Sequence, residues 1–482
     1  MKLRVNHVTE YLTGVDRHDA EYQNSSYLPF EILSQIFIDC LHSDRFQKPQ
    51  PNVNIAPLLL CRICHHWRDV AMAIPQLWVD LQIQLPTVWP MSQSPKRHNN
   101  LIPPEEFGFI DNWVAHARPY PPSLHITKYR MRFNHEILEQ SMSFEDFYAS
   151  SPIRSSRSLE LELSKNDFRA ICDTQTPFQN LEYLMMVGTL EDDDPPFSTS
   201  FKFPPSPLLR RLYLDFGFSE SIQKISRTLP FVQLTHLCIE WDIDDAKWLE
   251  LLEQSPYLQY GIFKLALSTK VTKHLLHNHM RQMVLQCTRF DGLPATFEGL
   301  LFPMMQSFRL AIPYECLPSS NITTEELQVV LKSTPALTEL HIQSCVKVSD
   351  PIDSSNQVRK SCLSSYVPNL KVLVIDKINN ILSSRQIIPF LLSNWLREGW
   401  SSTSRIRVEI VLISLRHFFS SAASFRAIID HVNSQCGREQ GDTSSDSLEV
   451  VLRQENKAHW EWMNPPSRDM RDRWQESMKF YY

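Results

Sequence analysis

Apolar residues near the start of the chain recur at helical spacing. Within SYLPFEILSQIFIDC, residues 26 to 40, one apolar stripe consists of Leu28, Ile32, Leu33, Ile36 and Phe37. Spacings of three and four residues place such side chains on one face of an α-helix. Pro29 suits the first turn of a helix, where its missing N–H is not needed. The pattern therefore predicts an amphipathic helix that begins near Pro29.

A second apolar stripe follows a polar stretch that contains proline. It lies within APLLLCRICHHWRDVAMAIPQLW and consists of Leu60, Ile63, Cys64, Trp67, Val70 and Ala71. The spacing predicts a second amphipathic helix, which Pro75 ends. A unit of about 50 residues in short helices is near the lower limit for independent stability. Burial of its apolar stripes against a partner would stabilise it.

The pattern changes beyond residue 180 to L-x-x-L-x-L/I, the strand signature of leucine-rich repeats. The copies are Leu181-Leu184-Met186, Leu209-Leu212-Leu214, Leu234-Leu237-Ile239, Met280-Met283-Leu285, Met305-Phe308-Leu310, Leu337-Leu340-Ile342 and Leu370-Leu373-Ile375, with a weaker copy at Leu258-Gly261-Phe263. Successive copies begin 22 to 33 residues apart. This period is close to the leucine-rich range of about 20 to 29 residues.

Helical patterns separate some of these strands. One runs from Asp242 to Gln254, and Thr323 with Glu326 forms a capping box before another. Strands and helices that alternate at this period bury their apolar faces by stacking on neighbouring repeats. The fold class predicted is α/β: a small all-helical unit followed by an irregular leucine-rich-repeat solenoid with a curved parallel sheet. An ordinary α/β domain is the alternative, because buried strands also produce the motif by chance.

Composition narrows the possible functions. The chain has 482 residues, 43% of them hydrophobic and 21% charged, which is ordinary for globular proteins. A formal net charge of −6 provides no basic excess for nucleic acid, and no stretch of about 18 apolar residues predicts a membrane span. Without a signal-peptide pattern, and with ten scattered cysteines, we expect an intracellular protein of the cytoplasm, the nucleus or both.

Motifs for catalysis and cofactor binding are missing from the sequence. It contains no P-loop, no G-x-G-x-x-G, no H-E-x-x-H and no G-x-S-x-G. The acidic run from Glu191 to Asp194 precedes two prolines and is typical of a solvated loop, although it could hold a divalent ion. We therefore expect no enzymatic activity, no metal and no cofactor.

One motif suggests a different chemistry. Cys61, Cys64 and His65 match C-x-x-C-H, the attachment pattern of c-type haem, and with His66 they could be argued as zinc ligands. Haem of this type is attached in exported compartments, and no second ligand pair for zinc follows. The favoured interpretation is that the two thiols are apolar or flanking residues of the second helix.

Three motifs in order resemble the F-box family. They are Leu28-Pro29-x-Glu31-Ile32-Leu33-x-x-Ile36-Phe37, then Leu60-x-x-Ile63-Cys64-x-x-Trp67-Arg68-x-Val70-Ala71, then Pro75-x-Leu77-Trp78. The set is similar to the fungal F-box-like group over residues 26 to 82, with a departure in the long insert from His42 to Pro57. The resemblance implies binding to a Skp-family adaptor, which links the F-box to a cullin scaffold. The residues implied in that contact are Leu28, Pro29, Ile32, Leu33, Ile36, Phe37, Ile63 and Trp67.

The resemblance and the repeats together predict a domain organisation. It comprises an N-terminal extension (1–25), an F-box (26–82), a linker (83–105), a leucine-rich-repeat-like substrate-binding domain (106–450) and a C-terminal tail or cap (451–482). The implied function is that of the substrate-recognition subunit of an SCF-type (Skp–cullin–F-box) E3 ubiquitin ligase. The alternative is a leucine-rich-repeat interaction scaffold without a role in ubiquitin transfer.

The repeats also predict a binding surface for a protein substrate. In L-x-x-L-x-L the leucines point into the solenoid, while the third and fifth positions face outward on the sheet. The outward residues proposed to bind substrate are Tyr183, Arg211, Tyr213, His236, Arg309 and His341, with Trp241 just beyond one strand. Tyr, Trp and Arg dominate interface hot spots. The alternative is that this face exposes mixed side chains and binds nothing.

Overall fold

A computed structural model of the chain describes seventeen stretches of the sequence. They are residues 28–41, 51–88, 101–102, 104–131, 142–163, 171–172, 174, 176–188, 203–215, 229–266, 273–287, 292–311, 322–343, 346–347, 367–376, 407–414 and 449–456. The chain divides into two compact units, Met1–Pro230 and Phe231–Tyr482. This division falls inside the segment 106–450 that was expected to form one repeat domain.

The first unit opens with short helices. They are α1 (Phe30–Leu41), a 3-10 turn (Leu60–Arg62), α2 (His65–Met72) and a second 3-10 turn (Pro75–Trp78). The carbonyl of Pro29 accepts a hydrogen bond from the N–H of Leu33 at 3.1 Å, so the first helical turn closes on the proline. The predicted first helix and its start are confirmed.

The second predicted helix is interrupted at Cys64. This residue is extended, with φ −159° and ψ 171°, and its Sγ accepts a hydrogen bond from the N–H of Trp67 at 3.5 Å. Cys64 therefore caps α2 and is exposed, and it does not lie on a continuous apolar stripe as the spacing predicted. A side chain that accepts a hydrogen bond from a first-turn N–H favours a helix start at this point.

A parallel sheet follows in the same unit. Its elements are β1 (Asp80–Val88), β2 (Leu101–Ile102), α3 (Pro104–Ala117), β3 (Ser123–Met131), β4 (Met142–Ser143), α4 (Phe144–Ala149), α5 (Ser151–Arg154), β5 (Ser158–Leu163), β6 (Tyr183–Gly188) and β7 (Arg211–Asp215). The order β1-β3-β5-β6-β7 is parallel throughout, and β2 pairs antiparallel with β4. Strand β1 runs into residues 83–88, which the sequence placed in a linker.

Trp78 joins the helical segment to the next helix of this unit. Its indole N–H donates to the carbonyl oxygen of Ala71 at 3.0 Å, and its ring meets that of Trp113 on α3 edge-on, with centroids 4.9 Å apart. Both tryptophans are buried. The helical segment that ends at Trp78 therefore shares a core with α3, beyond the domain end expected at residue 82.

The second unit has a 3-10 turn (Phe231–Gln233) and a second row of strands. Its further elements are β8 (His236–Asp244), α6 (Asp245–Gln254), β9 (Tyr260–Ala266), β10 (Leu275–Leu276), β11 (Gln282–Cys287), α7 (Leu293–Phe297), β12 (Leu300–Leu301), β13 (Ser307–Ala311), β14 (Ile322–Thr323), α8 (Thr324–Lys332), β15 (Glu339–Gln343), β16 (Val346–Lys347), β17 (Val372–Asp376), β18 (Arg407–Ser414) and β19 (Glu449–Asn456). The order β8-β9-β11-β13-β15-β17-β18-β19 is parallel, and the short pairs β10/β12 and β14/β16 are also parallel.

The repeat motifs align in register across this row. The middle leucine position of each copy pairs with the same position of the next, along Leu237, Gly261, Met283, Phe308, Leu340 and Leu373. This confirms the predicted α/β class with a parallel sheet. In neither unit is the sheet curled or closed, so the expected curvature is not seen, and the solenoid stays a prediction.

Glycine replaces leucine in the weak copy because a neighbouring ring takes the space. A Cβ atom at Gly261 would come within 2.5 Å of Cε2 of Phe263, whose side chain is fully buried. The larger aromatic residue thus compensates for the missing leucine in β9. This explains why the motif is recognisable but weak there.

The predicted helices between strands are confirmed at α6 and α8. The carboxylate of Asp244 caps α6 by accepting a hydrogen bond from the N–H of Lys247 at 2.7 Å. Trp248 of α6 is buried, with its ring 6.2 Å from Phe263 and 5.7 Å from Phe297 of α7. Aromatic side chains from helices and strands therefore form the core of this part of the second unit.

Some features predicted from the sequence lie outside the described residues. They are the acidic run from Glu191 to Asp194, the insert residues 42–50 and the aromatic tail from Trp460 onward. Among the helices that the structure describes, none has both the length and the apolar character needed to span a membrane.

Candidate protein-binding surfaces

Helix α1 has one buried row and one exposed row of apolar side chains. Leu33 and Phe37 are buried, and the Phe37 ring packs on Trp67 with centroids 4.9 Å apart. Leu28, Ile32 and Ile36, spaced four residues apart, are 47%, 50% and 38% exposed. The single apolar stripe predicted from the sequence therefore consists of two adjacent rows. The described residues of the unit bury only one of these rows.

A second exposed row lies on the helical turns before α2. Ile55, Leu59 and Ile63 are also spaced four apart, and the N–H of Leu59 donates to the carbonyl of Ile55 at 2.9 Å. All three side chains are exposed, and Ile63 is 52% exposed. We call this row and the exposed row of α1 the apolar ridges. Single exposed apolar residues are normal, whereas such groups of them mark binding sites.

The eight predicted adaptor-binding residues separate into two groups in the structure. Leu28, Pro29, Ile32, Ile36 and Ile63 are exposed. Leu33 and Phe37 are buried and Trp67 is only partly exposed, so these three hold α1 in place and do not offer an open surface.

Sequence reasoning missed Ile55 and Leu59 as members of the apolar ridges. Ile55 lies in the insert that departs from the family pattern, and Leu59 lies in the run that predicted the second helix but was not placed on its apolar stripe. Their spacing of four from each other and from Ile63 was the available signal.

The C-x-x-C-H motif does not present two thiolates on one surface. Cys61 is buried, and this burial raises the pKa of its thiol to about 11, against a smaller opposite effect of the Arg68 charge. A protonated thiol is a poor metal ligand and a poor nucleophile. Cys64 instead caps α2. Across the described ranges, no group of three or more His, Cys, Asp or Glu side chains is placed to hold a metal.

The residues predicted to bind substrate do not form an open face. Tyr183, Arg211, Tyr213, His236, Trp241 and Arg309 are buried, and His341 is only partly exposed. The prediction that these side chains face solvent from the third and fifth repeat positions is therefore wrong for the five that are buried there, Tyr183, Arg211, Tyr213, His236 and Arg309. Whether the residues bind a substrate in another way stays untested.

Contacts between neighbouring strands account for part of this burial. The Arg211 guanidinium lies 5.8 Å from the centroid of the Tyr183 ring, and the rings of His236 and Tyr260 stack with centroids 5.8 Å apart. Equivalent positions on parallel strands are close neighbours, so large side chains there cover one another. Aromatic and Arg residues at these positions thus stabilise the sheet.

An exposed cleft is present at the edge where the strands of the second unit begin. Before β9, β11, β13, β15 and β17, two successive N–H groups donate to one carbonyl of the previous repeat. Arg281 and Gln282 donate in this way to the carbonyl of Gln259, at 2.8 and 3.0 Å. This arrangement places the loop residues of successive repeats side by side. The cleft has a volume of about 340 Å³ and is lined by Gln259, Asn278, His279, Arg281, Pro303 and Met304. We call it the strand-edge cleft.

A buried histidine holds one wall of the strand-edge cleft. Nδ1 of His277 accepts a hydrogen bond from the N–H of Met280 at 3.2 Å, so its proton lies on Nε2, which is 2.9 Å from the carbonyl oxygen of Ser255. Burial lowers the pKa of His277, although its hydrogen bond to Ser255 acts in the opposite direction. The neutral ring therefore fixes the turn that carries Asn278 and His279.

Comparison with known proteins adds no assignment to these surfaces. No family model matches the chain, and no curated protein matches it either.

Proposed function

We propose that this chain is the substrate-recognition subunit of an SCF-type E3 ubiquitin ligase. In this proposal the apolar ridges bind a Skp-family adaptor that is itself bound to a cullin scaffold. The repeats, which would stack as an irregular solenoid, hold a protein substrate. The chain supplies no catalytic residue. It raises the effective concentration of the substrate near a ubiquitin-carrying enzyme held elsewhere in the complex.

One observation carries the proposal. Leu28, Ile32 and Ile36 form an exposed row, the adjacent row of α1 is packed into a core, and the exposed positions are ones that the F-box resemblance assigns to the adaptor. A helix that needed only to close its own unit would not need a second apolar row. Each of these side chains is about half exposed, so burying the rest of it against a partner contributes about 0.7–1.5 kcal/mol. The neighbouring row that ends at Ile63 would enlarge the apolar contact.

The test is adaptor binding by a double variant, Leu28→Lys with Ile32→Lys. Loss of the two apolar contacts would cost about 1.5–3 kcal/mol, or about 10- to 100-fold in Kd. We expect the full-length variant to lose co-purification with a recombinant Skp-family adaptor while its circular dichroism spectrum stays unchanged. Retention of the adaptor by the double variant would count against the proposal.

A matched control is Leu208→Lys with Val232→Lys. Both residues are exposed apolar residues outside the apolar ridges, and the change in charge is the same. This variant should bind the adaptor as the unmodified chain does. If the unmodified chain failed to bind any Skp-family adaptor, the interaction scaffold without a ubiquitin role would be the better interpretation.

A further inference from the structure

We propose that the strand-edge cleft binds an extended peptide segment in which an Asp or Glu lies next to a large apolar residue. The cleft is separate from the buried row of Tyr, Arg and His residues that the repeats predicted as the substrate surface. That the bound segment belongs to a ubiquitination substrate rests on the proposed function. The peptide binding itself does not depend on it.

The charge of the cleft favours an acidic partner. The guanidinium of Arg281 is exposed, and within the described part of the chain it forms no salt bridge. None of the six lining residues is acidic, and His279 is the other ionisable residue among them. Glu253 of α6 is already paired with Lys273, with its Oε2 2.6 Å from Nζ. A guanidinium binds a carboxylate through two parallel hydrogen bonds, so Arg281 can select an Asp or Glu.

The remaining lining groups fit the rest of a peptide. The side-chain amides of Gln259 and Asn278 form no hydrogen bonds with the described residues, so both can bond to a peptide backbone. Met304 of the lining is 47% exposed. Tyr257 does not line the cleft, but its ring lies 5.4 Å from that of the lining residue His279 and it is 54% exposed. A flexible thioether and a tyrosine ring are adaptable apolar contacts. Polar, charged and apolar side chains thus lie together in or beside the strand-edge cleft.

The size of the cleft limits what can enter. About 340 Å³ is at the lower end of ligand pockets, which range over about 300–1,000 Å³. This space holds one or two side chains and not a folded domain. An extended segment that inserts its acidic and apolar side chains and leaves its flanks in solvent therefore fits best.

The experiment is selection of a random 12-residue peptide library on the full-length protein. We expect the selected peptides to be enriched in Asp or Glu next to Leu, Met or an aromatic residue. Arg281→Glu should weaken binding of the best selected peptide at least tenfold, whereas Arg281→Lys, which keeps the charge, should weaken it less. Selected peptides without acidic enrichment, or binding by Arg281→Glu within twofold of the unmodified chain, would overturn the inference.

Lys371→Glu is the matched control. Lys371 is exposed and donates its backbone N–H to Thr338 at 2.8 Å, the same role that Arg281 has in its own repeat, but it does not line the cleft. The Lys371→Glu variant should bind the selected peptide as tightly as the unmodified chain does. Arg281→Glu should also retain the adaptor, and the Leu28 and Ile32 double variant should retain the peptide. Failure of the cleft can therefore be distinguished from failure of the proposed function.

Discussion

Trp78→Phe tests whether a buried indole joins the helical segment to helix α3. The substitution keeps an aromatic ring but removes the N–H that donates to the Ala71 carbonyl at 3.0 Å. It also replaces the indole by a smaller ring at the contact with Trp113, where the two ring centroids are 4.9 Å apart. Trp78→Ala removes the ring as well. The two variants separate the hydrogen bond from the apolar contact.

The expected magnitudes follow from burial and from the remaining partners. A buried Trp contributes about 150–250 Å², or about 4–6 kcal/mol at roughly 25 cal/mol per Å², and measured Trp→Ala losses are about 3–5 kcal/mol. The Ala71 carbonyl also accepts from the N–H of Ile74 at 3.3 Å, so Trp78→Phe does not leave it without a partner. Its cost is therefore near that of one ordinary hydrogen bond plus a small volume loss, about 1–2 kcal/mol.

Hydrogen exchange of the α2 backbone amides measures the loss of stability in the helical segment itself, which matters because the chain has two units. If these amides exchange through opening of the helical segment, each 1.4 kcal/mol accelerates exchange by about tenfold. We expect about 5- to 30-fold faster exchange for Trp78→Phe and more than 100-fold for Trp78→Ala. Gln76→Ala, an exposed residue of the same turn, is the control and should change little.

Two results would refute this reasoning. Unchanged protection in Trp78→Ala would mean that the indole is not part of the core around α2. Equal acceleration in both variants would mean that the indole N–H, and not the ring contact with Trp113, supplies the stability.

Three further perturbations concern the second unit and helix α3. Burial lowers the pKa of His277, so near pH 6.5 the unfolded chain binds a proton that the folded chain does not. The free energy of unfolding is therefore at its full value above about pH 6.5 and falls as the pH is lowered further. In urea denaturation, His277→Gln should show a smaller fall. Gly299→Ala should destabilise by at least about 1 kcal/mol in thermal unfolding, since Gly299 has φ +92° and a Cβ there would lie 2.7 Å from Nδ1 of His274. Gly108→Ala, in open space on α3, should instead stabilise by about 0.5–1 kcal/mol, and a loss there would contradict the helix assignment.

Local patterns predicted much of the secondary structure. The spacing around Ile32 and the position of Pro29 indicated α1, the capping residues before Leu327 indicated α8, and the repeated leucine motif indicated strands that pair in register. These features depend on neighbours in the sequence, because helix periodicity, capping and strand alternation are short-range properties. They were therefore accessible without the tertiary structure.

Local patterns could not decide which apolar rows are covered. Ile32 and Leu33 are adjacent and equally apolar, but only Leu33 is buried, because no described residue of the unit covers the other row of α1. In the same way, the alternation in β7 predicted that the Tyr213 side chain faces outward, but it could not show that this side chain is buried.

Sequence alone determined helix α1 with a single apolar stripe, helices α6 and α8, and the strands that carry the repeat motif together with their period. Tertiary structure decided that the Tyr and Arg positions of the repeats are buried and that Gln259, Arg281 and Met304 share one cleft. The physical reason is that burial depends on what packs against a side chain from distant parts of the chain. Residues 22 or more positions apart meet at the cleft only because parallel strands align successive repeats.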